Sequence, residues 1–287
     1  MEELIEKADI LMEALPYMKE FSNKTVVIKY GGNAMVNKDL MASVLEDVTL
    51  LKYVGVNPVI VHGGGPVISK NLEQYELETD FHKGLRITSQ EVMEVVEKAL
   101  IGEVNTNLVS LANSLGIKAV GLSGKDNQTI LAKKCEVDCE VELGYVGEVD
   151  KIDPTLLNSM VKDDYVPIVA PVGVDKEGHS YNINADLVAG EIAAALEAEK
   201  LILLTNTEGI LADPADKNTL ISNLKINEAK EKIADEVIVG GMIPKVNSCI
   251  TALENDVHRT HILDGRVDHS ILLEIFTDKG IGTMITK

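Results

Sequence analysis

The chain has 287 residues, 45% of them hydrophobic and 25% charged, enough for one large α/β domain or two lobes on a continuous sheet. With 27 basic against 46 acidic residues the net charge is −19, a field that repels nucleic acid and anionic membrane surfaces, so an anionic ligand must be drawn in by local lysines, arginines and backbone N–H groups. Three cysteines, Cys135, Cys139 and Cys249, are too few and too scattered for a disulfide framework, and no second Cys or His pair follows at zinc-like spacing.

The opening segment places Leu4, Ile5, Ala8, Leu11, Met12, Leu15 and Met18 at helical spacing, with Pro16 expected to kink the helix. That apolar stripe needs a partner, on its own domain or on another subunit. The segment lacks a signal-peptide core and an Arg-rich transit pattern, and no stretch is apolar for long enough to span a bilayer, so a cytoplasmic protein is expected. Strands and helices then alternate. "TVVIKY" reads as a buried strand, "KDLMASVLEDVTLLKYVG" as a helix ending at Gly55, and "NPVIVHGGG" as a strand running into glycines, with Pro66 in the first turn of the next helix. A long helix is predicted over "QEVMEVVEKALIGEVNTNLVSLANSLG", strands at "KAVGLSG" and "YVPIVAPVG", and hairpin-like strand between Cys135 and Asp150. Beyond Gly178 come a helix at "ADLVAGEIAAALEAE", a strand at "KLILLTN", a helix at "VNSCITALEND" and terminal strands at "RTHILDG" and "GTMIT". The alternation predicts a mainly parallel sheet between helical layers, with ligands at the carboxyl ends of its strands.

Two strands end in glycines, Lys29-Tyr30-Gly31-Gly32 and His62-Gly63-Gly64-Gly65. Glycines let backbone N–H groups approach an anion, and a following helix adds the positive end of its dipole. Two such loops favour anion or phosphate binding, although neither G-x-x-x-x-G-K-[ST] nor a strand followed by G-x-G-x-x-G occurs. "GLSGKDN" has glycines too closely spaced to wrap a phosphate and reads as a turn. His62 fits a hydrogen-bonded structural histidine better than a general base. Lys245, in "VGGMIPKVNSC", reads either as a surface lysine with a buried stem or as a second phosphate-binding cation. Asn184 or Asp186 is a candidate helix cap. Beside two phosphate-binding lysines, Asp186 also suits orienting both ammonium groups.

Taken in order, "KYGGNAM", "VHGGGP", "GLRIT", "GLSGKDN", "NINAD", "LILLTNTEGIL", "GGMIPK" and "LLEIFTDKGIGTMI" resemble the amino acid kinase family, in its acetylglutamate-phosphorylating members, over essentially the whole chain. The resemblance implies an open three-layer αβα sandwich of two lobes with an N-terminal kinked helix: an oligomerisation helix over 1–22, an N-acetyl-L-glutamate lobe over 23–178 and an ATP lobe over 179–287. It implies ATP, with Mg2+ arriving on the nucleotide and no metal held by the protein itself, phosphorylating the side-chain carboxylate in the second step of arginine biosynthesis. Lys29, Lys245, Asp186, Gly31 and Gly32 take the catalytic positions. Gly64, Gly65, Arg86 and Asn182 bind the acyl substrate, with Arg86 clamping the α-carboxylate. Lys245, Thr205, Asn206 and Gly209 face the nucleotide, although Asn206 stands where the family usually has Asp. The chemistry suits these residues: a carboxylate nucleophile is already ionised, so positioning and charge stabilisation suffice without a general base.

The N-terminal helix with Tyr17, and His269, Glu274 and Gly280 near the end, resemble the arginine-inhibited branch, whose helices interlace into a hexamer of three dimers. Feedback inhibition by L-arginine is expected. The rivals are a kinase for an acetylaminoadipate-type substrate one methylene longer, and a non-catalytic arginine sensor on the same fold.

Overall fold

Val26, Val27, Ile28 and Tyr30 leave almost no surface to solvent, so the first strand is an interior one, buried on both faces. The computed structural model describes residues 1–31, 37–136, 141–213, 215–277 and 280–287; Gly32 and Cys139 lie outside them. The chain begins α1 (Glu2–Phe21), β1 (Thr25–Tyr30), α2 (Lys38–Tyr53), β2 (Asn57–His62) and α3 (Gly65–Gln74). A short hairpin, β3 (Phe81–His82) with β4 (Leu85–Arg86), precedes α4 (Gln90–Glu97), a π-helical segment (Lys98–Asn105) and α5 (Thr106–Ser114). Then come β5 (Ala119–Ser123), β6 (Ile130–Lys134), β7 (Gly147–Ile152), α6 (Thr155–Lys162), β8 (Val166–Ala170), β9 (Val172–Val174) and β10 (Ser180–Asn182). The last third is α7 (Ala185–Ala195), β11 (Lys200–Thr205), β12 (Asn223–Lys225), α8 (Ile226–Ala234), α9 (Met242–Glu254), β13 (Arg259–Asp264), α10 (Ser270–Ile275) and β14 (Thr283–Thr286).

Eight strands form the central sheet in the order β12-β14-β13-β11-β1-β2-β8-β5, parallel except where β14 runs against β13. Strand β1 sits between β2 and β11. The chain leaves β1 toward β2 on one side and returns through α7 to β11 on the other, a topological switch point whose crevice lies at the carboxyl ends. A second sheet, β10-β9-β6-β7, which the sequence pattern only hinted at between Cys135 and Asp150, stands apart from the first.

The period of two along β1 sorts its side chains between two cores. Val27, with Val59, Val61, Leu201 and Leu203, packs against α7 and α9. Val26, Ile28 and Tyr30 pack against α2, α5 and α10. Position 29 therefore projects to the α7 and α9 side, and position 62 to the α2 and α5 side. Helix α1 is assigned as continuous through Pro16. No helix among the described residues is long and apolar enough to cross a membrane.

Candidate active site

Lys29 emerges from β1 near its carboxyl end, buried to 6% exposure, and its Nζ lies 2.9 Å from Asp186 Oδ1. Lys245, in the first turns of α9, brings its Nζ within 2.8 Å of Asp186 Oδ2. One carboxylate thus holds two ammonium groups side by side, and the triplet carries net positive charge. Burial pushes the Asp186 carboxyl up, but the charges of Lys29 and Lys245 outweigh it and hold it below the usual carboxylate value. Burial and the neighbouring Lys29 charge pull Lys245 down, against the attraction of Asp186.

Local sequence explains the convergence. The cap of α7 is Asn184, whose Oδ1 accepts from Asp186 N at 2.8 Å and Leu187 N at 3.4 Å, so the Asp186 side chain is free for the lysines. Helices α7 and α9 touch at Gly190, where an added Cβ would stand 2.6 Å from Ser248 Oγ. Ser248 Oγ donates to the Asp186 carbonyl at 2.5 Å, tying the first turn of α7 to α9 three residues after Lys245. Gly190 and Ser248 were not nominated from sequence; a glycine inside an alanine-rich helix was the available signal.

Next to the triplet lies a cleft of about 470 Å3, whose lining includes Lys29, Gly64, Gly65, Arg86, Asn182 and Asp186. A Cβ on Gly31 would meet Lys29 Nζ at 2.8 Å, and one on Gly64 would meet Leu100 Cδ2 at 2.4 Å, so a side chain at either position would displace the Lys29 ammonium or the Leu100 side chain. Gly65, the first residue of α3, has open space around it. Arg86 is 8% exposed; its Nη2 donates to Ser69 Oγ at 2.8 Å, and its guanidinium stacks 4.6 Å from the Phe81 ring centroid. Among the described residues it has no carboxylate partner, and burial lowers its pKa. A buried cation in that state favours an anionic ligand. Asn182 is anchored by its Nδ2 donating to Thr88 Oγ1 at 3.3 Å. Asp186 is the one described carboxylate lining the cleft, and both its oxygens face lysines, so the chain offers a hard cation no oxygen cluster there.

Thr205 ends β11, two residues beyond Leu203, which pairs with Lys29, and so reaches the same end of the sheet as the triplet. Asn206 follows it, its Oδ1 buried and without a hydrogen-bond partner among the described residues. Gly209, at φ +144°, would crowd Thr283 Oγ1 at 2.6 Å if it carried a Cβ, so contact with β14 accounts for it. Away from the cleft, Asp175, Glu177 and His179 gather at the turn between β9 and β10, but Asp175 already accepts from the Glu177 and His179 N–H groups and the Tyr181 hydroxyl.

A second cavity of about 640 Å3 opens between α1 and the last strands, and Tyr17, Glu274 and Gly280 line it. Glu274 Oε1 lies 3.2 Å from Lys200 Nζ and 2.7 Å from His261 Nε2. Burial pushes the Glu274 carboxyl up, yet His261 and Lys200 hold it below its ordinary value. His269 does not join this cluster: its Nδ1 pairs with Asp47 Oδ1 at 2.7 Å on α2. The histidine at the cavity is His261, inside β13, and the lysine is Lys200, at the start of β11; neither was nominated from sequence.

Comparison with known proteins places residues 24–264 in a match to the amino acid kinase family. Over 288 residues the chain is 54% identical to an acetylglutamate kinase of Halothermothrix orenii, covering 100% of this chain and 99% of that one. Among solved structures it resembles the N-acetylglutamate synthase of Neisseria gonorrhoeae complexed with coenzyme A and N-acetyl-glutamate, at TM-score 0.86 and 26% identity, over 98% of this chain and 63% of that one. The same synthase complexed with coenzyme A and L-arginine matches at TM-score 0.82 and 25% identity, over 98% and 65%. The chain therefore spans less than two thirds of the synthase.

Proposed function

The chain belongs to the amino acid kinase family, and we propose that it transfers the γ-phosphoryl group of ATP to the side-chain carboxylate of N-acetyl-L-glutamate, the second step of arginine biosynthesis. The observation that carries this reading is the Lys29–Asp186–Lys245 triplet beside a buried Arg86 that has no carboxylate partner among the described residues. An oxygen of the substrate carboxylate attacks the γ-phosphorus, a C–O–P linkage forms as the bond to the β,γ-bridging oxygen breaks, and ADP leaves with that electron pair. The nucleophile is already ionised, so no residue has to take a proton. Lys29 offsets charge on the transferring group and Lys245 on the leaving phosphates, while Asp186 fixes both ammonium groups and keeps them from repelling one another. Gly31 and Gly64 leave backbone N–H groups accessible to phosphoryl oxygens. Arg86 takes the α-carboxylate and Asn182 the acetylamino group. Thr205 and Asn206, whose Oδ1 has no hydrogen-bond partner among the described residues, suit nucleotide contacts, and Mg2+ accompanies the nucleotide.

On this reading residues 23–178 form the acyl-substrate lobe and 179–287 the nucleotide lobe, in a cytoplasmic enzyme. The second cavity is an L-arginine effector site, supported by the buried Glu274 carboxylate, apt for a guanidinium, and by the arginine complex of the gonococcal synthase. Helix α1 joins subunits into a hexamer, supported by its exposed Leu4, Ile10 and Leu11. The test is ADP release with ATP and N-acetylglutamate, with and without arginine, in the parent and in Lys29→Ala. The parent should turn over and be suppressed by arginine, and Lys29→Ala should lose a factor of about 100 or more in kcat. Equal rates in parent and variant would remove Lys29 from the chemistry, and insensitivity to arginine would remove the effector site.

A further inference from the structure

The buried pair His62 and Asn105 has no part in the chemistry just described, yet its hydrogen bonds end on the glycine loop that has one. His62 is fully buried at the end of β2, and its Nδ1 lies 2.7 Å from Gly63 O. A carbonyl only accepts, so Nδ1 carries the proton. Nε2 then accepts from Asn105 Nδ2 at 3.1 Å, and the second hydrogen of that amide goes to Ile168 O at 2.8 Å. Both ring nitrogens and the amide nitrogen are used in one tautomer and one amide orientation. Burial lowers the imidazole pKa to about 4, so the ring stays neutral at physiological pH.

The loop is held from the other side as well, because Gly63 N donates to Tyr30 O at 2.7 Å, at the end of β1. In a trans peptide the carbonyl and the following N–H point in opposite directions. Drawing Gly63 O onto the imidazole therefore turns the Gly64 N–H away from it, and Gly64 lines the cleft beside Lys29. Among the described residues nothing accepts a hydrogen bond from that N–H.

Two local features serve this contact. The π-helical turn Lys98–Asn105 sets Leu100 against Gly64 and Asn105 against His62. At its end Thr106 Oγ1 donates to Ile101 O five residues back, at 3.1 Å. Gly121 in β5 admits the amide, since a Cβ there would stand 2.0 Å from Asn105 Oδ1. A hydrophobic side chain at position 62 would fill this interior without either of them.

We propose that His62 and Asn105 are positioning residues that, through the Nδ1–H bond to the Gly63 carbonyl, aim the Gly64 N–H at the transferring phosphoryl group. The proposal rests on the phosphotransfer reading above. An asparagine amide reaches the place of Nδ1, whereas a glutamine amide reaches that of Nε2, so the two substitutions separate the bond to the loop from mere filling of the site. The experiment measures kcat, both KM values and the melting temperature for the parent, His62→Asn and His62→Gln, with the ring-nitrogen NMR shifts of His62 in the parent and in Asn105→Leu. Expected are a neutral Nδ1–H tautomer in the parent, the same tautomer with a shifted Nε2 resonance in Asn105→Leu as its donor is lost, and kcat within about tenfold of the parent for His62→Asn but lower by about 100-fold for His62→Gln, with KM values nearly unchanged. An Nε2–H tautomer in the parent, or Asn and Gln variants whose rates fall in step with their melting temperatures, would overturn it. A parent that transfers no phosphoryl group overturns the underlying reading instead, and the tautomer, read without substrate, tells the two failures apart.

Discussion

Single side chains in this molecule draw their roles from what their neighbours leave undone. Arg86 is held by the Ser69 hydroxyl and the Phe81 ring, and neither neutralises it. A lysine there keeps the charge but loses the planar fork and the stacking. Arg86→Lys is expected to raise KM for the acyl substrate about tenfold or more while leaving KM for ATP nearly unchanged, in steady-state kinetics with each substrate varied. His62 ties stability to pH. Its folded value is about 4 against an ordinary 6.5, so between these the unfolded chain binds more protons. Its contribution is complete above 6.5 and is lost as pH falls toward 4, at most roughly 3 kcal/mol. Denaturant titrations of parent and His62→Asn should show the parent losing ground over that interval; parallel curves would contradict it. Lys29, Asp186 and Lys245 were legible because each stands beside glycines or near a helix start. Lys200 and His261 were not. They sit within buried strands and meet Glu274 only through the pairing of β11 with β13, which no local pattern announces.

Helices and strands set the distances between those residues. Lys245 reaches Asp186 because α7 and α9 meet with no side chain at Gly190. Gly190→Ala would favour helix propensity, but its Cβ would stand 2.6 Å from Ser248 Oγ and 2.7 Å from Ser248 O, and backbone gives little. The expected result is a loss of about 1–3 kcal/mol of stability and a lower kcat, as α9 and Lys245 move outward, read by denaturant unfolding and initial rates. The parallel strands and their helices were legible from long apolar runs and 3.6-residue spacing. The π-helical turn was not, because the apolar pattern from Gln90 to Ser114 continues through it. The three-residue strands β9, β10 and β12 are too short to show a period.

At the scale of the molecule, the net charge of −19 makes the cationic triplet a local exception in a repelling field. The switch point gathers β1, α7 and α9 so that the exception forms at one place. Helix α1 leaves Ile10, Leu11 and Met12 at least 60% exposed, while its far end, at Tyr17 and Phe21, walls the second cavity. Assembly through α1 and arginine binding should therefore be linked. Leu11→Asp with Met12→Asp is expected to give a smaller particle by light scattering and a weaker response to arginine; an unchanged particle mass would exclude α1 as the joint. Phosphoryl transfer to a carboxylate is tested most directly by incubating the protein with ATP and hydroxylamine and comparing hydroxamate from N-acetylglutamate, N-acetyl-aminoadipate, glutamate and aspartate at equal concentration. Dominant hydroxamate from N-acetylglutamate is expected. No hydroxamate from any of the four, or a greater yield from another acid, would contradict the account.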